Sequence, residues 1–285
     1  MATAEATAIA APASASRVAG AALVPGMPQL LTDGPAAPSW VELAVAAREV
    51  GDRLLDAGAE ALVILSTQWF TVLGHQLQLE PRLQGRRVDE NWYAYDYGTL
   101  DYDIRIDTEL TERWATEIEG EGLQARRTRY EGFPIDTGTL VADALLNHGL
   151  PVALVSCNLY AGADVIATLA GAALHAADEL GRRVGFVAVT GLSSGLTQRW
   201  IEPAEDAIEL AEHERWDRRV LELLSRGRLD EALALREEYA RAAQADSQLR
   251  ALAFLAGTGC LSGAADVRAY GPIWGTGAAV VHWST

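Results

Sequence analysis

A chain of 285 residues that is 49% hydrophobic holds enough apolar material for one large α/β domain or two small ones. Its formal net charge of −16 excludes the basic face that a nucleic acid or an anionic membrane requires. Two cysteines, Cys157 and Cys260, without metal-type spacing imply no disulfide framework and fit a reducing cytoplasm, and no run of 18 apolar residues offers a membrane span.

Residues 1–17 are rich in Ala, Ser and Thr, lack the charged start and long apolar core of a signal peptide, and predict a disordered tail. The rest, 18–285, reads as one domain. Strands are expected at 21–24 (AALV), 61–66 (ALVILS), 152–156 (VALVS), 184–191 (VGFVAVTG) and 277–283 (GAAVVHW). Such short, unbroken apolar runs are the pattern of strands covered on both faces. Amphipathic helices are expected at 39–58, from a Ser39 cap to Gly58, and at 163–181, ending at Gly181. Two more, 214–227 and 229–257, make the C-terminal half helical. The alternation predicts an α/β fold: a single domain with a mainly parallel or mixed central sheet flanked by helices. No internal repeat and no Pro/Gly-rich linker divides it.

Residues 80–108 depart from this rhythm. Aromatics and acids are dense and periodicity is poor, which predicts a long functional or interface loop. Trp92, Tyr93, Tyr95, Tyr97 and Tyr102 suit a contact surface for another chain, with Trp92 and Tyr93 foremost, or equally a satellite cluster over the sheet.

The strand at 61–66 runs directly into Thr67, Gln68 and Trp69. Open α/β sheets bind ligands at such carboxyl ends, yet the side chain offered here is a glutamine rather than a His, Cys or acid. There is no HExxH, no CxxC and no pair of histidines at i, i+4. His75, His148, His175, His213 and His282 are each separated from other ligand types. Asp101, Asp103 and Asp107 lack the Gly turn and terminal Glu of a calcium loop and read as a solvated strand edge. The loop GLSSG at 191–195 could cradle an anion with its amides but lacks the Gly-Lys-Ser/Thr of a P-loop. Ser193 and Ser194 have no evident histidine partner, and neither does Cys157. The residues predict a scaffold with pocket-like strand ends and no catalytic set.

The words LVPGMPQL (23–30), STQW (66–69), VDENWY (88–93), YDIR (102–105), GFPIDTGT (132–139), NLY (158–160), GLSSGL (191–196), WDRRVL (216–221) and YGPIWGTGAAV (270–280) occur in one order. In that order they resemble the class III extradiol dioxygenases, over about residues 18–285, and within them the aminophenol-cleaving branch. The resemblance implies that in catalytic members two histidines and a glutamate hold Fe(II), with open positions for substrate and O2. Carried onto this chain, the first histidine position falls on Gly26 and the second on Gln68. Two further histidines, acid/base or substrate-orienting, fall on Thr137 and Ser194. The glutamate falls on Arg250, with Gln248 the other candidate. Glycine has no side chain, Gln, Thr and Ser lack an imidazole, and Arg would bring a fixed positive charge.

The resemblance therefore implies a non-catalytic alpha-type chain without a cofactor of its own. It would stabilise a homologous beta-type chain that holds Fe(II), as two alpha and two beta chains, and the complex would open an aminophenol-type ring. Two alternatives remain: an enzyme of different chemistry, or an aromatic-ligand-binding protein. Either would use a residual pocket of Gln68, Asp136, Tyr160, Ser194 and Tyr270. If the site is an emptied copy, its backbone should still aim β-carbons where ligands once stood.

Overall fold

A computed structural model of the chain describes residues 17–32, 36–87, 100–195, 197 and 199–285. The expected tail, apart from Arg17, lies outside them, as do Trp92, Tyr93, Tyr95 and Tyr97. In chain order the elements are β1 (Val18–Val24), α1 (Pro38–Asp56), β2 (Ala61–Thr71), β3 (His75–Gln78), β4 (Arg82–Arg87), β5 (Leu100–Arg105), α2 (Thr108–Gly120), β6 (Ala125–Thr128), α3 (Thr137–Leu146), β7 (Val152–Asn158), α4 (Ala163–Glu179), β8 (Val184–Val189), α5 (Ala211–Ser225), α6 (Leu229–Ala234), α7 (Arg236–Ala243), α8 (Arg250–Ala256), β9 (Asp266–Ile273) and β10 (Thr276–Trp283).

The expected apolar strands form the middle of one mixed sheet of eight, in the order β6-β3-β7-β2-β8-β1-β10-β9. The run β7-β2-β8-β1 is parallel, so these four carboxyl ends share one edge. The flanks turn antiparallel, β3 against β7 and β10 against β1. Alternate residues of each central strand feed two cores, as the two-residue period requires. Leu62 and Ile64 pack with Trp40, Leu43, Val50 and Leu140 of α1 and α3. Ala61, Val63 and Leu65 pack with Trp114, Ile166, Leu169 and Phe254 of α2, α4 and α8. Among the described residues no helix is long and apolar enough to cross a membrane.

Two expectations change. The helix expected over 229–257 is three helices: Leu235 separates α6 from α7, and the chain turns left-handed between α7 and α8. Gln244, Ser247, Gln248 and Leu249 carry φ of 51°, 45°, 55° and 55°. Non-glycine residues hold such angles only where their surroundings over-determine them. The loop expected over 80–108 is ordered at both ends: β4 and β5 form an antiparallel ribbon. Arg82 and Arg86 pair across it with Asp103 and Asp101 at 2.5 and 2.6 Å. Asp107 is no strand-edge acid. It caps α2, accepting the Leu110 amide at 3.0 Å, and it also meets Arg182.

Candidate functional site

The carboxyl edge of the parallel strands gathers most of the sequence-predicted positions. β2 pairs with β7 up to Ser66 and resumes only at Phe70, so Thr67, Gln68 and Trp69 bulge out of the ladder. A bulge re-aims side chains next to a strand end. Gln68 turns toward the segment leaving β1 and donates from Nε2 to the Gly26 carbonyl at 3.0 Å. Gly26 itself is buried against the start of α3. A β-carbon on it would lie 2.5 Å from Gly138 Cα and 2.6 Å from Val189 Cγ1. The space a side chain would need at this position is already taken by backbone.

Asp136 holds α3 in that place. It accepts the Thr139 amide at 2.9 Å and the Thr139 hydroxyl at 2.6 Å, and it takes the Ser66 hydroxyl at 2.6 Å. Ser66 in turn accepts the Gln68 amide at 3.2 Å. Thr137, half-buried, is the first residue of α3 and sits between this cap and Gly138. Gly26, Gln68, Asp136 and Thr137 are thus brought to one place, with Gly26 buried, Asp136 and Thr137 half-buried and Gln68 exposed.

Arg250 stands on the other side of the left-handed turn. Its buried guanidinium donates to three main-chain carbonyls: Nε to Ala161 at 2.8 Å, Nη2 to Leu159 at 2.8 Å and Nη1 to Ser247 at 2.9 Å. Gln248, the other candidate, is exposed. The acid nearest this turn is Asp246, and its oxygens are in use. Oδ2 accepts the hydroxyls of Thr67 and Thr190, both at 2.9 Å, and the Gly191 amide at 2.8 Å; Oδ1 accepts the Ser247 hydroxyl at 3.0 Å. The ends of β2 and β8 are thereby tied to the turn. Burial beside this network pushes the Cys157 thiol up to about 11, so it stays protonated at neutral pH.

The remaining positions diverge. The Ser194 amide donates to the Ala243 carbonyl at 3.2 Å. Tyr270 donates its hydroxyl at 3.0 Å to Asp217, a fully buried carboxylate that also accepts the Ser193 amide at 3.0 Å, the Ser193 hydroxyl at 2.9 Å and the Tyr239 hydroxyl. Desolvation raises the Asp217 carboxyl above its ordinary value against the pull of those donors. Tyr160 projects into solvent. Gln68 and Asp136 therefore share one cluster, while Tyr270 joins another and Tyr160 joins neither. Among the described residues no three His, Cys, Asp or Glu side chains form a group that could hold a metal ion. Sequence reasoning missed Asp246, Asp217 and Gly138. The first two look like surface acids of helical runs, and a glycine in a loop word such as GFPIDTGT carries no signal of the backbone it will meet.

Comparison with known proteins agrees with this architecture. A family described as the catalytic LigB subunit of aromatic ring-opening dioxygenase matches residues 21–280. The alpha subunit of 2-aminophenol 1,6-dioxygenase from Pseudomonas sp is 35% identical over 272 residues, 94% of this chain and 99% of that one. The beta subunit of 2-aminophenol 1,6-dioxygenase, also from Pseudomonas sp, is 27% identical over 264 residues, 86% of this chain and 84% of its own. The crystal structure of an uncharacterized Escherichia coli K12 protein shares the fold, with a TM-score of 0.67 at 13% identity over 93% of this chain and 99% of its own. A match that runs from β1 to β10 and takes in every strand end of the site shows that this chain belongs to the LigB family, the class III extradiol ring-opening dioxygenases.

Proposed function

We propose that this chain is the non-catalytic, alpha-type subunit of a cytoplasmic extradiol dioxygenase that opens an aminophenol-type ring. The Fe(II) belongs to a homologous beta-type subunit, and the assembly holds two chains of each kind. The observation that carries the reading is the closure at Gly26. The family implies a metal held by imidazole and carboxylate. In support, Gly26, onto which the resemblance carries the first ligand, faces the apposed backbone of Gly138 with no room for a side chain. The second holds an amide engaged with that same segment. The third holds a guanidinium committed to three carbonyls. This donor set does not fit Fe(II), so no step of ring opening is assigned to this chain. Relatives named as alpha and beta subunits of one dioxygenase support a homologous partner.

The test is to purify the chain alone and together with a co-expressed family member from the same genome that carries both histidines. Each preparation is loaded anaerobically with Fe(II), assayed for iron and offered 2-aminophenol with O2. The expected result is stoichiometric iron and turnover only in the complex. Stoichiometric iron or ring opening by the lone chain would refute the reading. Marked thermal stabilisation of the lone chain by an aromatic ligand would favour a binding protein instead.

A further inference from the structure

Five large apolar side chains stand exposed together beside the closed site. Phe70 is 61% exposed, Val72 49%, Leu73 64%, Leu159 37% and Tyr160 81%. They come from the end of β2, the β2–β3 connection and the loop after β7, and hydrogen bonds hold these segments side by side. Leu159 N–H donates to Thr71 O at 2.9 Å, and the Asn158 amide side chain donates to Gly74 O at 2.9 Å. Asn158 also accepts the Tyr160 amide at 2.9 Å. Arg250 then braces the loop from behind through the Leu159 and Ala161 carbonyls. A position that catalytic relatives are expected to use for a metal ligand here supports an exposed apolar shelf.

We propose that this shelf is the docking surface for the homologous iron-holding subunit; the proposal rests on the functional reading above. The five side chains offer on the order of 500 Å² of apolar surface, as large as the biggest patch on a typical monomer. That suits the water-excluding centre of an interface in which each partner buries about 800 Å². A second copy of this chain is the poorer occupant, because each copy carries a net charge of −16. A homologous chain presents the same backbone edge with different side chains. The β2–β3 connection and the loop after β7 can therefore meet their counterparts in a near-twofold pairing that identical charges would oppose. The rim adds a local sign. Arg126 Nε lies against Gly74, 3.1 Å from where a β-carbon would stand, and the only side-chain partner found for this exposed cation among the described residues is Gln124 Oε1 at 3.5 Å. The partner is expected to set a carboxylate opposite it.

The experiment uses the full chain, tagged and co-expressed with the histidine-bearing family member, in five forms: wild type, Leu73→Glu, Tyr160→Glu, Arg126→Glu, and Val45→Glu on α1 as an exposed apolar control. The four variant positions are all exposed, so folding is expected to survive and circular dichroism checks it. Wild type and Val45→Glu should co-purify with the partner, while Leu73→Glu and Tyr160→Glu should bind at least about tenfold more weakly, as hot-spot residues do. Arg126→Glu should weaken binding most at low salt. If wild type and both shelf variants bind alike, the shelf proposal fails and the functional reading stands. If wild type binds no partner, both fail. A lone chain that dimerises through the shelf, losing the dimer in Leu73→Glu, would identify a second copy as the occupant and overturn the assignment.

Discussion

Gly138 Cα stands 2.5 Å from the point a β-carbon on Gly26 would occupy, so the start of α3 closes the position to which the family resemblance carries the first metal ligand. A β-carbon there would meet packed atoms rather than open space. The obstacle is not a flexible side-chain tip but the main chain of a capped helix start.

Putting any side chain at Gly26 should therefore destabilise the fold. Gly26→Ala is expected to cost about 1–3 kcal/mol, the usual range for overpacking, and Gly26→His more. Urea unfolding of the purified chain measures it. An unchanged midpoint in Gly26→His would mean that α3 moves aside freely, and restoring Gln68→His and Arg250→Glu beside it would become worthwhile.

Shortening Arg250 removes the side-chain donor from three part-buried carbonyls, those of Leu159, Ala161 and Ser247. Arg250→Met should lower stability by about 3 kcal/mol, since charge-assisted bonds are worth more than neutral ones and unmet buried groups are costly. It should also loosen the loop at 159–161, whose Leu159 and Ala161 carbonyls lose the guanidinium that holds them. Hydrogen exchange of that loop reads the second effect; protection there equal to wild type would contradict the bracing role.

Asp217 joins the loop after β8 to α5, α7 and β9 through Ser193, Tyr239 and Tyr270. Asp217→Ala strands three hydroxyls at once and is expected to cost about 3–5 kcal/mol, with Asp217→Asn intermediate because one acceptor oxygen remains. Near-ultraviolet dichroism of the tyrosines together with the thermal midpoint gives the ranking. A neutral Asp217→Ala would show the network to be dispensable.

Asp143 makes stability depend on pH. Burial pushes its carboxyl from 3.8 up to about 6, against the opposing bond from Asn147. A folded-state value above the unfolded one means that the folded chain binds the proton more tightly between pH 4 and 6. The contribution is full below the unfolded value and is lost as pH rises through about 6. Asp143→Asn, which keeps an acceptor for Asn147, should unfold at higher urea than wild type at pH 7.5, by about 1–3 kcal/mol, with the gap closing toward pH 4. The carboxylate also lies near the C-terminal end of α3, where the helix dipole disfavours negative charge. A gap that does not change with pH would rule this explanation out.

The sequence by itself determined the parallel centre of the sheet, helices α1 and α4, and the family. Unbroken runs such as ALVILS and capped amphipathic stretches are local signals, and burial on both faces leaves them little choice of conformation. It also shows what stands at the positions the resemblance singles out, since Gly26 and Gln68 are readable as letters. Only the tertiary structure decided what those positions do instead. Short polar strands such as HQLQ and ARRT exist because they pair beside β7 and each other, not because their own pattern demands it. The helical pattern over 229–257 breaks because Asp246 and Arg250 find partners on β2, β8 and the loop after β7, and those partners hold a left-handed turn that local propensity opposes. The meeting of Gly26 with Gly138 is likewise a contact between segments far apart in the chain. No periodicity encodes it, because it depends on how closely two backbones approach once the sheet and α3 are packed.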